Sequence, residues 1–350
     1  MAKTRFDQEI FNPSRRIALK TLTALLACGG MRRVAAVEPS TCRINIPGPL
    51  LMPFFPVELI PKLGIDRQID CNLGIRYHPS GVFALEDMLS GNAEFAGVGF
   101  PVLPKFLEQG KSVVAIARLS SGAPPYAIVV RADLADSIRS ISDLRGRTLG
   151  VPAGSATTKT YLQLIAEQWV SAYGVAPNQL RWAPIAQTYE GVYGALAADS
   201  VDAVFCEEPN SGSLVRAGIG RTLASLNDPH NPVRIVGKNH LRAVVVTTPE
   251  RIKTNPQRVR TMVNMLRRSL SWTRAATPSA IVEQLQVSDA GQRVDLIDAL
   301  TRLSPLYSGD GTFPDDEIQA TRDFMQAVGI KLPCNADVRS LIDDRWVKAD

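Results

Sequence analysis

The alternation of short apolar strands with amphipathic helices is the feature that most restricts how this chain folds. After about residue 40, runs of strand length recur, and each is followed by a segment with helical periodicity. Strands and helices that alternate at this spacing predict a parallel sheet with helices on both faces. In the first part of the chain, strands are predicted over 42–46, 73–77, 95–98 and 113–119.

A Gly- and Pro-containing segment, residues 120–126 (SSGAPPY), interrupts this rhythm and is predicted to be a crossover between two lobes. A second alternating unit follows it. The polar stretch 227–239 then leads to a strand over 243–247, where we place the return crossover. In the second unit, strands are predicted over 127–131, 148–152, 181–184 and 203–206.

Beyond the return crossover the pattern is helical, which predicts that the second lobe is inserted into the first. We therefore predict that lobe I consists of residues 37–121 and 245–350. Lobe II is predicted to be residues 122–244.

The N-terminal segment 1–36 has the parts of an export signal. Residues 14–20 (SRRIALK) form a twin-arginine pattern, an apolar stretch follows over 21–30, and residues 34–36 (VAA) suit a signal peptidase. We expect export by the Tat route, with an ordinary Sec signal as the alternative. Because LLAC at 25–28 also resembles a lipobox, lipid attachment at Cys28 is a further alternative.

The positive charge of the chain lies in this leader. The full sequence has a formal net charge of +5, but residues 1–36 hold seven of the 39 Lys and Arg and two of the 34 acids. The remainder is neutral. A nucleic-acid-binding surface needs bases clustered on the folded domain, so we expect no nucleic-acid partner.

Sequence patterns of common enzymes are missing. GKS at 110–112 resembles the end of a P-loop, but Lys105 stands where the phosphate cradle needs glycine. No GxSxG, HExxH or GxGxxG pattern occurs, and the three histidines do not have metal-ligand spacing. We expect no catalytic residues, no metal and no cofactor. Cys42 and Cys71, each near the start of a predicted strand, are either a disulfide or buried free thiols.

Four segments of the chain resemble motifs of a known family and occur in the same order as in that family. Residues 141–155 (ISDLRGRTLGVPAGS), 84–96 (ALEDMLSGNAEFA), 195–205 (ALAADSVDAVF) with the following EEP, and 255–270 are similar to motifs of the SsuA/THI5-like (NMT1-like) periplasmic substrate-binding proteins. The resemblance implies a type II periplasmic binding protein-like α/β fold, in which two doubly wound lobes joined by two crossovers enclose a ligand cleft.

The resemblance also implies a function. A protein of this kind is the periplasmic solute-binding component of an ABC importer for nitrate, sulfonates, taurine or thiamine-precursor pyrimidines. We expect a monomer that closes by hinge motion around a small-molecule ligand and is then recognised by an ABC permease. The alternatives are a fold-sharing enzyme of pyrimidine-precursor or small-acid metabolism and a sensory binding protein that reports to a receptor.

Candidate ligand-binding residues follow from the rule that ligands bind at the carboxyl ends of strands in α/β sheets. The loop after the strand at 148–152 is predicted to open a helix over 157–173, where free N–H groups would bind an anion or a polar group. A plain N-cap at Ser155 or Thr157 is the alternative. The candidates are Gly48, Pro49, Ser80, Gly99, Phe100, Ser121, Tyr126, Gly154, Ser155, Ala156, Thr157, Thr188 and Glu208.

The class of ligand stays open at this point. Backbone donors at 154–156 suit a sulfonate or a carboxylate. Glu208, with Phe100 and Tyr126 as apolar walls, suits an amine or an aromatic heterocycle, unless its carboxylate is solvated or locks the hinge. The apolar, proline-rich loop 47–52 argues against a bare nitrate ligand.

Overall fold

The computed structural model describes residues 40–122, 124–228, 235–236, 239–332 and 336–348. The predicted export signal, its cut site and Cys28 lie outside these residues. None of the helices in the described ranges combines the length and the apolar character needed to cross a bilayer.

The strands form two separate five-stranded sheets. In chain order they are β1 (Ser40–Pro47), β2 (Cys71–His78), β3 (Phe95–Gly99), β4 (Val114–Arg118), β5 (Tyr126–Arg131), β6 (Thr148–Pro152), β7 (Arg181–Ile185), β8 (Ala203–Glu207), β9 (Gly220–Ser225) and β10 (Ala243–Thr247). The first sheet has the order β2-β1-β3-β10-β4 and the second the order β7-β6-β8-β5-β9. The two orders are equivalent, so the lobes share one topology.

Helices surround both sheets. They are α1 (Phe55–Lys62), α2 (Gly81–Leu89), α3 (Leu103–Glu108), α4 (Tyr161–Ala172), α5 (Tyr189–Ala197), α6 (Asn210–Arg216), α7 (Pro249–Thr254), α8 (Pro256–Ala275), α9 (Pro278–Leu285), α10 (Ala290–Arg302), α11 (Asp315–Ala327) and α12 (Arg345–Lys348). We call the first sheet and its helices lobe I and the second sheet and its helices lobe II. Both belong to one compact unit.

In each sheet one strand runs antiparallel to its neighbours, which departs from the expectation of a parallel sheet. In lobe I, β10 runs antiparallel to β3 and β4, and in lobe II, β5 runs antiparallel to β8 and β9. These are the first strands after each crossover. The chain reaches them from the other lobe, at the edge where the parallel strands end, and therefore runs in the opposite direction.

Two elements of lobe II were not predicted from the sequence. Helix α6 follows Pro209 and contains Gly212, so its helical propensity is low. Strand β9 forms an edge of its sheet and exposes Arg221 and Thr222, so it lacks the apolar pattern of a central strand. Packing against the rest of lobe II stabilises both elements.

Cys42 and Cys71 are buried free thiols. They lie on adjacent strands, since Ser40 pairs with Cys71 and Cys42 pairs with Leu73. Burial raises the pKa of Cys42 far above its usual range, so the thiol is uncharged and packs as part of the core. Of the two readings left open by the sequence, the structure shows the free thiols.

Candidate functional site

A cavity of about 40 Å³ lies between the two lobes. Lobe I contributes one wall, formed by Pro47, Pro53, Phe54, Gly81, Val82, Val98, Gly99, Val102 and Ala243. We call these residues the lobe I wall. The opposite side, the lobe II wall, is formed by Tyr126, Thr160, Tyr161, Leu162, Gln187 and Glu207.

The topology places this cavity where the strands of both sheets end. Pro47, Gly99 and Glu207 are the last residues of β1, β3 and β8, and Tyr126 is the first residue of the antiparallel β5. Helices α2 and α4 also begin here. The site therefore follows the general rule that α/β sheets bind ligands at the carboxyl edge of their parallel strands.

Glu207 is the charged group of the lobe II wall. Strand β8 alternates, so Phe205 and Glu207 project to one side, whereas Cys206 packs in a separate apolar cluster. The Glu207 side chain is buried, and its Oε1 accepts a hydrogen bond of 3.2 Å from Gln187 Nε2. Burial raises the pKa of Glu207 from 4.5 to about 7, and the bond from Gln187 opposes that rise.

Two tyrosines add phenol groups to this wall. The rings of Tyr126 and Tyr161 meet edge to face with centroids 5.9 Å apart. The Tyr161 hydroxyl shares a hydrogen bond of 2.8 Å with His240 Nε2, and His240 stacks on Phe324. Burial raises the pKa of both tyrosines well above the usual value, so both are neutral phenols near neutral pH.

The lobe I wall is apolar and comes very close to lobe II at Gly99. A Cβ atom added at Gly99 would lie 2.5 Å from Tyr161 Cβ, a distance that side chains do not tolerate. Gly99 has an ordinary negative φ in the extended region, so close approach and not backbone conformation requires glycine here. This contact lets the ring of Tyr161 cover one side of the cavity.

Further contacts across the cleft hold the lobes together. On one side, the backbone N–H of Gln187 donates to the carbonyl of Pro79 at 3.3 Å, and Gln109 Nε2 donates to Thr157 Oγ1 at 3.1 Å. On the other side, Arg302 Nη2 of α10 lies 3.4 Å from a carboxylate oxygen of Glu208. The structure is thus a closed arrangement of the two lobes.

The family model described as NMT1/THI5 like matches residues 72–280, which is more than half of the chain. The chain belongs to the NMT1/THI5-like family. The comparison with curated protein sequences found no match to this chain.

Several solved structures are similar to this NMT1/THI5-like chain. A protein of Bordetella bronchiseptica RB50 has a TM-score of 0.75 at 18% identity, with 89% of this chain and 96% of that chain covered. The alkanesulfonate-binding protein SsuA from Xanthomonas axonopodis pv. citri, bound to MOPS, has a TM-score of 0.67 at 16% identity (88% and 100% covered). The periplasmic nitrate-binding protein NrtA from Synechocystis PCC 6803 has a TM-score of 0.64 at 14% identity (87% and 85% covered). At these identities the similarity establishes the fold, which is the two-lobed type II fold expected from the sequence.

Seven of the candidate residues lie at the cavity or adjoin a lining residue in the chain, and one of them is Phe100, which follows Gly99. Gly99 and Tyr126 line it directly. Four others each adjoin a lining residue in the chain: Gly48 beside Pro47, Ser80 beside Gly81, Thr188 beside Gln187, and Glu208 beside Glu207. The strand-end rule thus selected loops that reach the cavity in this NMT1/THI5-like fold, while the structure shows which side chains line it.

Glu208 follows the last residue of β8 and does not line the cavity. Besides the ion pair with Arg302, its carboxylate accepts a hydrogen bond of 3.3 Å from the backbone N–H of Gly212, at the start of α6. Through these two contacts the Glu208 carboxylate joins α10 to the start of α6.

The loop 154–157 was predicted to open a helix, and that prediction was wrong. Helix α4 begins at Tyr161, and its N-cap is Thr160, whose hydroxyl accepts from the N–H of Gln163 at 3.2 Å. Residues 154–157 instead belong to a turn in which the N–H of Ser155 donates to the carbonyl of Thr158 at 3.0 Å. The helix N-terminus that reaches the cavity therefore presents residues 160–162.

Four candidates, Phe100 among them, do not themselves line the cavity. Phe100 is buried in the core of lobe I, Pro49 and Ala156 are exposed, and Ser121 donates to the carbonyl of Tyr307 at 3.0 Å. Sequence reasoning did not select Glu207, Gln187 or Tyr161. The signal for Glu207 was the alternation of β8, once its end is placed at residue 207 instead of 206.

Proposed function

We propose that this protein is the solute-binding component of an ABC importer, and that it closes its two lobes around one small ligand. The observation that carries the proposal is the cavity itself, which is lined from both lobes at the strand ends. A site divided in this way binds ligand only when the lobes come together, so binding and closure are coupled. The names of the similar alkanesulfonate- and nitrate-binding proteins support the same role.

The two crossovers provide the hinge in this proposal. Arg242, on the return crossover, donates to the carbonyls of Ser121 and Gly122 on the first crossover. Next to it, the N–H of Ala243 donates to Ser120 Oγ at 3.1 Å. These bonds join the two connections at one place, and the lobes would rotate about it. In this proposal the first lobe boundary stays at 121/122, and the return boundary expected at 244/245 moves to 242/243, because β10 begins at Ala243 and pairs with β3 of lobe I.

The closed protein would then be recognised by a membrane permease. In this scheme the export signal directs the chain to the periplasm, where it acts as a monomer and binds its ligand without turnover. The proposed site agrees with a binding role, because its described lining holds one carboxylate, one amide, a threonine hydroxyl and two neutral phenols among apolar side chains.

Small-angle X-ray scattering with thermal unfolding tests this function on the purified full-length chain. We expect one class among sulfonates, nitrate, carboxylates and amines to reduce the radius of gyration and raise the unfolding midpoint. A ligand at about one hundred times its Kd adds about 2.7 kcal/mol to the free energy of unfolding. Chemical conversion of that ligand by the protein would overturn the proposal and favour an enzyme.

A further inference from the structure

The polarity of the cavity indicates the chemical class of its ligand. We propose that Glu207 binds a compact cation or paired N–H donor of the amidinium or guanidinium type, and that the cavity excludes oxyanions. This inference rests on the proposed solute-binding function and deepens it.

The Glu207 carboxylate can accept more hydrogen bonds than the described residues donate to it. An ionised carboxylate accepts about four hydrogen bonds. Within the described part of the chain, Glu207 accepts one, from Gln187. Because the side chain is buried at the cavity wall, its other acceptor positions need a donor from a ligand or from water.

No basic side chain in the described cavity lining compensates the negative charge of Glu207. Among the described residues that line the cavity, none is a lysine or an arginine. The nearby Arg242 is engaged by the carbonyls of Ser121 and Gly122. The charge of Arg242 opposes the rise in the pKa values of Tyr126 and Tyr161 that burial causes. The pKa of Glu207, by contrast, reflects burial and the hydrogen bond from Gln187. An oxyanion in this cavity would meet a carboxylate, whereas a cation would pair with it.

The size and the lining of the cavity suit a compact ligand. The cavity volume is about 40 Å³, and one buried water needs about 10–15 Å³ of cavity volume. The cavity therefore holds about three waters, or a ligand of about four non-hydrogen atoms. The neutral phenols of Tyr126 and Tyr161 offer hydroxyl oxygens as acceptors and aromatic rings for cation–π contact. The lobe I wall covers the apolar side of such a ligand.

The pH dependence of this binding depends on the ionisable side chains that surround Glu207. From the neighbouring elements, Tyr126, Tyr161 and Tyr307 face it, and the pKa of each phenol is raised well above the usual value by burial. On its own strand, burial likewise keeps Cys206 neutral. The other charged or ionisable side chains nearby are Arg242, Glu208 and His240, whose Nε2 lies 2.8 Å from the Tyr161 hydroxyl. Cation binding should therefore strengthen as pH rises through 7 and Glu207 ionises.

Matched pairs of ions test the inference. Acetamidinium and acetate have the same shape and opposite charge, as do guanidinium and nitrate. Isothermal titration of the full-length chain at pH 8 should show at least tenfold tighter binding of each cation than of its anionic counterpart. The affinity for acetamidinium should rise between pH 6 and pH 8.

Two variants locate the effect. Glu207→Gln should weaken acetamidinium binding at least tenfold and remove its pH dependence. Glu58→Gln is the control, because Glu58 is an equally buried carboxylate whose pKa is also raised to about 7, but it does not line the cavity. That variant should bind as the wild type does. Thermal unfolding without ligand confirms that both variants fold, and the comparison of ion pairs in the wild type needs no variant.

The outcomes separate this inference from the proposed function. Tighter binding of acetate or nitrate would overturn the inference and leave the solute-binding role intact. Binding of cations that Glu207→Gln does not weaken would also overturn it. If no ion of either charge binds, the inference fails, and the proposed function loses the cavity as its support.

Discussion

The two walls of the cavity differ in chemistry although the two lobes share one topology. Strands β3 and β8 occupy equivalent places in their sheets, yet β3 ends at Gly99 and β8 ends at Glu207. The lobe I wall is apolar, and the lobe II wall holds a carboxylate, an amide and two phenols. The shared topology sets where a ligand can lie, and the side chains at the strand ends decide what each lobe offers to it.

Two buried carboxylates extend this comparison. In lobe I, Glu58 accepts from the backbone N–H of Leu50 at 3.0 Å and from the hydroxyl of Tyr77 at 3.2 Å. In lobe II, Glu207 accepts one hydrogen bond, from Gln187. Glu58 therefore orders the loop that precedes α1, whereas Glu207 retains acceptor positions for a ligand. Their burial is similar, and their hydrogen bonding distinguishes them.

The largest expected effect is on stability as a function of pH. The pKa of each glutamate is about 7 in the folded protein, raised above its ordinary value of 4.5. The folded state thus binds the proton more tightly, so this stabilisation is complete below 4.5 and is lost as pH rises to 7. Each carboxylate contributes on the order of 3 kcal/mol to that loss. Urea unfolding should show a smaller difference between pH 5 and pH 8 in Glu207→Gln and in Glu58→Gln than in the wild type.

A ligand should separate the two carboxylates. With saturating acetamidinium, the loss of stability at high pH should shrink in the wild type and in Glu58→Gln, but not in Glu207→Gln. A pH profile that is the same in wild type and Glu207→Gln would contradict the burial of that side chain.

Filling the close contact between the walls should prevent closure. Leucine at position 99 would collide with Tyr161, so Gly99→Leu should weaken ligand binding by about fiftyfold or more, or about 2.3 kcal/mol. Gly194→Leu is the matched control, because a Cβ there has nothing within 4 Å. Titration calorimetry with the ligand found above checks both. Equal affinity in the two variants would show that the lobes do not meet at Gly99 when ligand binds.

Removal of one hydroxyl from the lobe II wall should have a moderate effect. Tyr161→Phe keeps the ring against Gly99 but leaves His240 Nε2 without its 2.8 Å hydrogen bond from this residue. We expect a loss of about 1–2 kcal/mol in the free energy of unfolding, measured with urea. Tyr193→Phe, at an exposed position, should be neutral. A neutral Tyr161→Phe would show that the hydroxyl is well solvated.

The smallest expected effect concerns Glu208. Its partner Arg302 is about half exposed, and an ion pair of this kind contributes at most about 0.5 kcal/mol. Arg302→Ala should therefore weaken ligand binding less than about threefold. Titration calorimetry gives the answer. A tenfold loss would indicate that Glu208 acts in the site and that Arg302 positions it.

The position of α4 shows why local sequence placed one part of the site incorrectly. Gly154, Ser155 and Thr157 are ordinary signals for the start of a helix, and so is Thr160. The turn at 155–158 and the packing of Tyr161 against Gly99 favour the later start. Both facts depend on the opposite lobe or on the path of the loop, which a local pattern does not contain.

The sequence by itself determined the order of strands and helices, the interruption near residue 120 and the return near residue 243, because hydrophobic periodicity and turn residues are local properties. It also pointed to the loops at the strand ends. Only the tertiary structure decided that β5 and β10 run antiparallel, that Glu207 and not Glu208 lines the cavity, and that Tyr161 closes it. Successive side chains point to opposite faces of a strand, so the register of β8 decides which of two adjacent carboxylates lines the cavity.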